Sequence, residues 1–219
     1  MSFRVCSFWT DGTPYERVMH ETLAPSLKKF DVPFFVQRLP NHGHWAVNGN
    51  MKPAFLRDCM DQFPSDDIVW LDADAQLMGS PRLFDQLPTE VDFAARFRPR
   101  GQEGTKRGAV ELLSGTLFFR QNETARDLLD RWMKQAIASS KVWDQKNLYQ
   151  AVQSFRWVEF LGPDAGSASE FRPGHEALTY YDLPKSYCFI RSLDREEPIP
   201  PVVFHWQASR WLKKKVGGS

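Results

Sequence analysis

The chain has 219 residues, with 28 Lys and Arg against 27 Asp and Glu, and is 42% hydrophobic and 14% aromatic. It is long enough to enclose one core, too balanced in charge for a general polyanion binder and too aromatic for disorder. No apolar run approaches the ~20 residues that span a bilayer, and Met1-Ser2-Phe3-Arg4-Val5-Cys6 lacks the apolar stretch of a secretory signal, so a cytoplasmic protein is expected.

Arg4 to Thr10 reads as a strand. Thr13-Pro14-Tyr15-Glu16 then supplies a capping residue, a proline at the first helical position and a Glu placed to close a capping box. The helix is expected to run to about Phe30, because Tyr15, Val18, Met19, Leu23, Leu27 and Phe30 form one apolar stripe. Phe34 to Arg38 is a second strand. A Gly- and Asn-containing loop, Pro40 to Asn50, carries Trp45, and a helix follows from Lys52 to Gln62. Ile68 to Leu71, apolar on both sides, fits a central parallel strand. Further on, Asp92 to Arg96 and Leu113 to Arg120 read as strands. Thr124 to Ala138 is a helix with Leu128, Leu129, Trp132, Met133, Ala136 and Ile137 inward, and Asp144 can cap another to about Ser154. Two Pro- and Gly-rich stretches, around Gly162 to Gly174 and Arg195 to Pro201, read as loops or lids. Pro201 to Phe204 is a last strand. Alternating strands and helices define an α/β chain read as a single domain over residues 1–219, with ligand loops at the carboxyl ends of the strands. Cys6, Cys59 and Cys188 lack metal or disulfide spacing and read as buried thiols.

The strongest chemical feature is Asp72-Ala73-Asp74, directly after the apolar strand. If extended geometry persists, both carboxylates face one side and can address one hard cation; otherwise they are acids of a solvated turn. His205 closes the last strand and can join such a cation through a neutral imidazole.

Several segments in order then resemble nucleotide-sugar transferases of the GT-A fold. They are Phe8-Trp9-Thr10 with Gly12-Thr13-Pro14-Tyr15, then Lys52-Pro53, Ile68 to Ala75, Leu113 to Phe119, Asp144-Gln145, and His205-Trp206-Gln207-Ala208-Ser209-Arg210. The resemblance covers nearly the whole chain. It implies a Rossmann-like GT-A fold with a mixed, mostly parallel sheet flanked by helices. It also implies Mn²⁺ or Mg²⁺ held by Asp72, Asp74 and His205, and a nucleoside diphosphate sugar as donor, UDP-linked in most such relatives. On this reading Thr10, Gly12, Lys52, Ser114, Gly115, Gln145, Ser209, Arg210 and Lys213 face the donor, Asp144 faces the transferred sugar or the acceptor hydroxyl, and retention of configuration is preferred to inversion, for which Asp144 is the one candidate base. No Gly or Pro follows His205, so the sequence departs from a related ending in another branch.

Each residue also has a local reading. Gly12 serves a β-α turn, Lys52 a helix start, Gly115 a bulge, a strand entry or close sugar approach, and Asp144 an N-cap. Trp45, Trp143 and Trp206 can stack on a sugar or base, with Trp45 and Trp206 on the acceptor side, whereas Trp9, Trp70, Trp132 and Trp157 read as core. His42 and His44 read as acceptor-side or surface residues. Two basic clusters, one of Arg96, Arg98, Arg100, Lys106 and Arg107 and one of Arg210, Lys213, Lys214 and Lys215, are either solvated charge or the rim for an anionic acceptor. Such an acceptor is a nucleic acid with a hydroxylated base or an acidic glycan. A metal-dependent phospho- or nucleotidyltransferase and a noncatalytic glycan- or nucleic-acid-binding module are the alternative readings.

Overall fold

The computed structural model describes residues 2–100, 109–162, 169–171, 175–194, 196 and 198–208. The first half contains β1 (Ser2–Thr10), α1 (Tyr15–Glu21), α2 (Leu23–Lys29), β2 (Phe34–Leu39), α3 (Trp45–Gly49), α4 (Lys52–Gln62), β3 (Asp66–Leu71), β4 (Ala75–Leu77) and α5 (Leu83–Gln86). There follow β5 (Phe93–Arg100), β6 (Ala109–Phe119), α6 (Glu123–Ala138), α7 (Asp144–Gln153), β7 (Phe155–Leu161), β8 (Ser169–Phe171) and β9 (His175–Asp182). The described chain closes with β10 (Phe189–Ile190), α8 (Arg191–Asp194) and β11 (Val203–His205).

Eight strands form one sheet in the order β2-β1-β3-β6-β5-β9-β7-β8. β1 lies parallel to β2 and β3, and β9 parallel to β5 and β7; β6 runs antiparallel to both neighbours, as β8 does to β7. The sheet is mixed and mostly parallel. Helices cover both faces, and β3 shows why the central strands are apolar throughout. Ile68 and Trp70 enter one core with Phe55, Leu56, Leu128 and Trp132, while Val69 and Leu71 enter the other with Met19, Leu23 and Leu27. The three cysteines are buried free thiols. No described helix is long and apolar enough to cross a membrane.

Several local expectations change. The Thr13 to Phe30 helix is two helices broken at Thr22, whose backbone leaves helical geometry at φ −121° and ψ −73°. The Thr22 hydroxyl lies 2.6 Å from Val18 O and 3.1 Å from Ala73 O, so the break ties the helix pair to the turn after β3. Thr13 does not cap: its hydroxyl donates to Thr10 O, and Pro14 occupies the cap position. The Pro40 to Asn50 stretch folds locally into α3. Strands β7 and β9 were not expected. Ile137 is 82% exposed, because the inward stripe of α6 runs through Ala125, Leu128, Leu129, Trp132 and Ala136. The Gly162 to Gly174 loop lies largely outside the described residues.

A small second sheet, β10-β11-β4, carries the end of the described chain back beside β3. It is pinned by Arg96 of β5, which is buried rather than on a charged rim. Its guanidinium donates to both oxygens of Asp194 at 2.6 and 2.8 Å and to Cys188 O at 2.7 Å. Burial opposes ionisation of Asp194, but the Arg96 hydrogen bonds outweigh it and hold the carboxyl below its ordinary value. A depressed carboxylate contributes stability above its unfolded-state pKa and loses it as pH falls through the lowered folded value. Asp194→Asn is therefore expected to cost about 3–5 kcal/mol near pH 7, by leaving Arg96 buried without its partner. Urea denaturation at neutral and acid pH should show the difference from wild type shrinking below the ordinary carboxylate range.

Candidate functional site

The carboxyl ends of β1 and β3, the segment after β2 and the start of α7 enclose a cavity of about 470 Å³. Phe8, Trp9, Thr10, Lys52, Asp72, Asp74 and Asp144 are among its lining residues. This is the open edge expected of crossover topology.

Asp72-Ala73-Asp74 is a turn, not continued strand. Ala75 N donates to Asp72 O at 2.8 Å, and the carboxylates converge through the turn rather than by strand alternation. The register of β11 against β4 sets His205 opposite Ala75, and so beside Asp74. Backbone bonds fix this junction: Trp206 N donates to Asp74 O at 3.2 Å and Ala208 N to Asp74 Oδ2 at 2.7 Å.

One ligand atom from each of Asp72, Asp74 and His205 lies within 4.8 Å of the others. The remaining atoms of these side chains are engaged elsewhere. Asp72 Oδ1 accepts from Trp70 Nε1 and from Lys52 Nζ, both at 2.9 Å; Asp74 Oδ2 takes the Ala208 amide; His205 Nε2 is hydrogen-bonded to Thr116 Oγ1 at 2.8 Å. What is left for an ion is the second oxygen of each aspartate and His205 Nδ1, the last lying 3.9 Å from Asp74 Oδ1. Two carboxylates and an imidazole with its other nitrogen tied down suit a divalent cation such as Mn²⁺ or Mg²⁺. The His205 ring is buried, which opposes its charge, but Cys188 and Asp74 favour it and the pKa is pushed up to about 10. A cation held at this nitrogen would have to take the place of a proton.

A distortion in β6 makes the convergence possible. Ala95 of β5 pairs with Leu117 but Arg96 pairs with Leu113, so Ser114 and Gly115 bulge between them, while Thr116 still pairs with Leu71 of β3. The Ser114 hydroxyl donates to Asp144 Oδ2 at 3.0 Å, and Gly115 O accepts from Asp72 N at 2.9 Å. A methyl group on Gly115 would sit 2.9 Å from His205 Cε1 and 3.4 Å from Asp72 Oδ2. The glycine thus gives room to the protein's own ligand side chains.

Lys52 is the buried counter-charge. Its Nζ lies 2.9 Å from Asp72 Oδ1, 2.7 Å from Asp144 Oδ2 and 5.1 Å from the centre of the Trp70 ring. Burial works against the ammonium, but Asp144 and Asp72 outweigh it and raise its pKa above the ordinary lysine range. Asp144 is the first residue of α7, with Trp143 at the cap, and its side chain turns to Lys52 and Ser114 rather than capping.

Thr10, Lys52, Asp72, Asp74, Asp144 and Trp45 line the cavity; Ser114, Gly115 and His205 adjoin it through Asp144 and Asp72. Gly12 adopts φ +63°, a left-handed conformation that glycine favours in the turn after β1. Gln145 faces another cavity and donates to Glu111 Oε1 at 2.9 Å. Trp206 donates to Gln76 and packs on Phe204 and Arg191, away from the cavity wall. Trp9, expected in the core, is half-buried and lines the cavity. Ser209, Arg210, Lys213, Lys214, Lys215, Lys106 and Arg107 lie outside the described residues. Thr116 and the Trp70 indole N–H were missed, since neither residue carries a sequence signal for a role behind a ligand.

No protein-family model and no curated protein matches the sequence. Among solved structures, a glycosyltransferase involved in the glycosylation of the major capsid of PBCV-1 superposes with a TM-score of 0.66 at 15% identity, over 99% of this chain and 98% of that one. The glycosyltransferase GlyE of Streptococcus pneumoniae TIGR4 gives 0.53 at 13% identity, over 94% of this chain and 55% of its own. The bifunctional glycosyltransferase WbbM gives 0.54 at 9% identity, over 94% of this chain and 46% of its own. This chain thus spans about half the length of the latter two. The fold is that of these glycosyltransferases, an α/β GT-A architecture.

Gly115→Ala tests the convergence. The variant is expected to fold, with its melting temperature close to wild type, and to lose at least tenfold in Mn²⁺ affinity measured by isothermal titration.

Proposed function

We propose that the chain is a metal-dependent glycosyltransferase that moves a sugar from a UDP-linked or similar nucleoside diphosphate donor to an acceptor hydroxyl. The observation that carries this reading is the convergence of Asp72, Asp74 and His205 beside a 470 Å³ cavity at the carboxyl edge of a GT-A sheet. A cavity of that size suits a nucleotide-sized ligand.

Asp72, Asp74 and His205 would hold Mn²⁺ or Mg²⁺, which when bound supplies Lewis-acid charge for the departing diphosphate. Thr10 and the turn at Gly12, with the aromatic side chains of Phe8, Trp9 and Tyr15 in the same wall, form the part suited to a nucleoside. Lys52 keeps Asp72 and Asp144 from repelling one another. Asp144 lies at the sugar end of the cavity in this reading. Its Oδ2 already accepts from an ammonium and a hydroxyl, which anchors the carboxylate to the protein's own groups. Retention is preferred: the acceptor hydroxyl attacks the anomeric carbon, the bond to the diphosphate oxygen breaks, and that oxygen takes the acceptor's proton.

Differential scanning fluorimetry with UDP, with and without Mn²⁺, tests the binding half. Stabilisation by about 2.7 kcal/mol is expected at a hundredfold excess over Kd, only with the metal, and lost in Asp72→Asn and Asp74→Asn. A screen of UDP-sugars should release UDP rather than inorganic phosphate, with both variants at least a hundredfold slower. Failure of every nucleoside diphosphate to bind would sink the proposal.

A further inference from the structure

We propose that a second cavity, of about 460 Å³ between β6 and α7, is the carbohydrate subsite that receives the acceptor, an inference that rests on the transferase reading above. Its chemistry comes from Glu111, Lys141, Trp143, Gln145, Lys146 and Tyr149.

The two cavities share a wall. Trp143, Asp144 and Gln145 are consecutive: Asp144 lines the first cavity, Trp143 and Gln145 the second. The Trp143 ring meets that of Trp45, which lines the first cavity, edge to face at 5.9 Å between centroids. A ligand lying against Trp143 is therefore one residue away from the carboxylate assigned to the reacting sugar.

The lining selects a sugar. Trp143 is 60% exposed and Trp45 47%, two of the few large apolar side chains left in water among the described residues. A pyranose has an apolar C–H face and a rim of hydroxyls, and it suits an aromatic face bordered by planar polar groups. Glu111 and Gln145 are such groups, joined by their 2.9 Å hydrogen bond; Glu111 also lies 3.9 Å from Arg98, and the Gln145 amide oxygen can accept from a sugar hydroxyl. An apolar peptide would leave these polar groups unmatched. Lys141 and Lys146 in the same lining, with Arg98 3.9 Å from Glu111, offset the Glu111 carboxylate, so the cavity suits a sugar without selecting its charge.

The test uses the intact chain with Mn²⁺ and UDP, and takes methyl β-galactoside, methyl α-mannoside and lactose as probes. Saturation-transfer NMR and isothermal titration should show at least one probe binding in the millimolar range. Trp143→Ala should weaken it at least tenfold, Gln145→Ala several-fold, and Trp143→Phe should restore most of the loss. Both positions are exposed or half-exposed, and the melting temperatures of the variants check that they fold. If the probes bind Trp143→Ala as well as wild type, or if none binds a protein that does bind UDP with Mn²⁺, the inference is overturned and the transferase reading stands. If UDP itself does not bind, both fall together.

Discussion

Everything at the carboxyl edge of the sheet answers one electrostatic constraint: Asp72, Asp74 and Asp144 are gathered around a single cavity, and like charges in a partly buried place repel unless cations intervene. Lys52 is wedged between Asp72 and Asp144, and His205 arrives against Asp74. The far end of β3 shows the contrast. There Asp67 is buried with both oxygens bonded, one to Arg120 at 2.7 Å and the other to the Gln121 amide at 2.8 Å, away from the cavity. The same residue type has both oxygens tied to the protein at one end of the strand, while at the other Asp72 and Asp74 each turn one oxygen toward His205 and the candidate ion site.

The backbone is bent to keep it open. The bulge at Ser114 and Gly115 feeds a hydroxyl to Asp144 and a carbonyl to Asp72, and clears the volume that His205 and Asp72 occupy. Thr22, at the break between α1 and α2, holds the turn from the opposite face through Ala73 O. These contacts hold the three candidate ligand side chains in place within the protein itself, which would lower the cost of assembling the site on binding an ion.

Much of this was legible in the residues, and the exceptions have physical reasons. The helix Lys52 to Gln62 and the central strand were readable because their apolar periodicities are unambiguous. The acids of Asp72-Ala73-Asp74 were identified as a pair, but the wrong geometry was expected of them: an i to i+3 hydrogen bond closes a turn where the sequence allowed an extended run. Gly115 was read as a bulge, a strand entry or an approach for sugar; the bulge is present, and that it makes room for His205 is something no local pattern could reveal. Arg96 read as part of a basic rim because its partner, Asp194, lies far along the chain. Strands β7 and β9 flank the Gly- and Pro-rich stretch around Gly162 to Gly174, and no strand was expected on either side of it, although Phe155, Leu178 and Tyr180 are buried.

His205 reaches Asp74 only through β11, and β11 reaches it only by pairing with β4. A growing polypeptide on the ribosome can complete the parallel half of its sheet, with both aspartates present, well before the imidazole emerges. The three candidate ligands can therefore come together only after residue 205 has been made and its strand has docked.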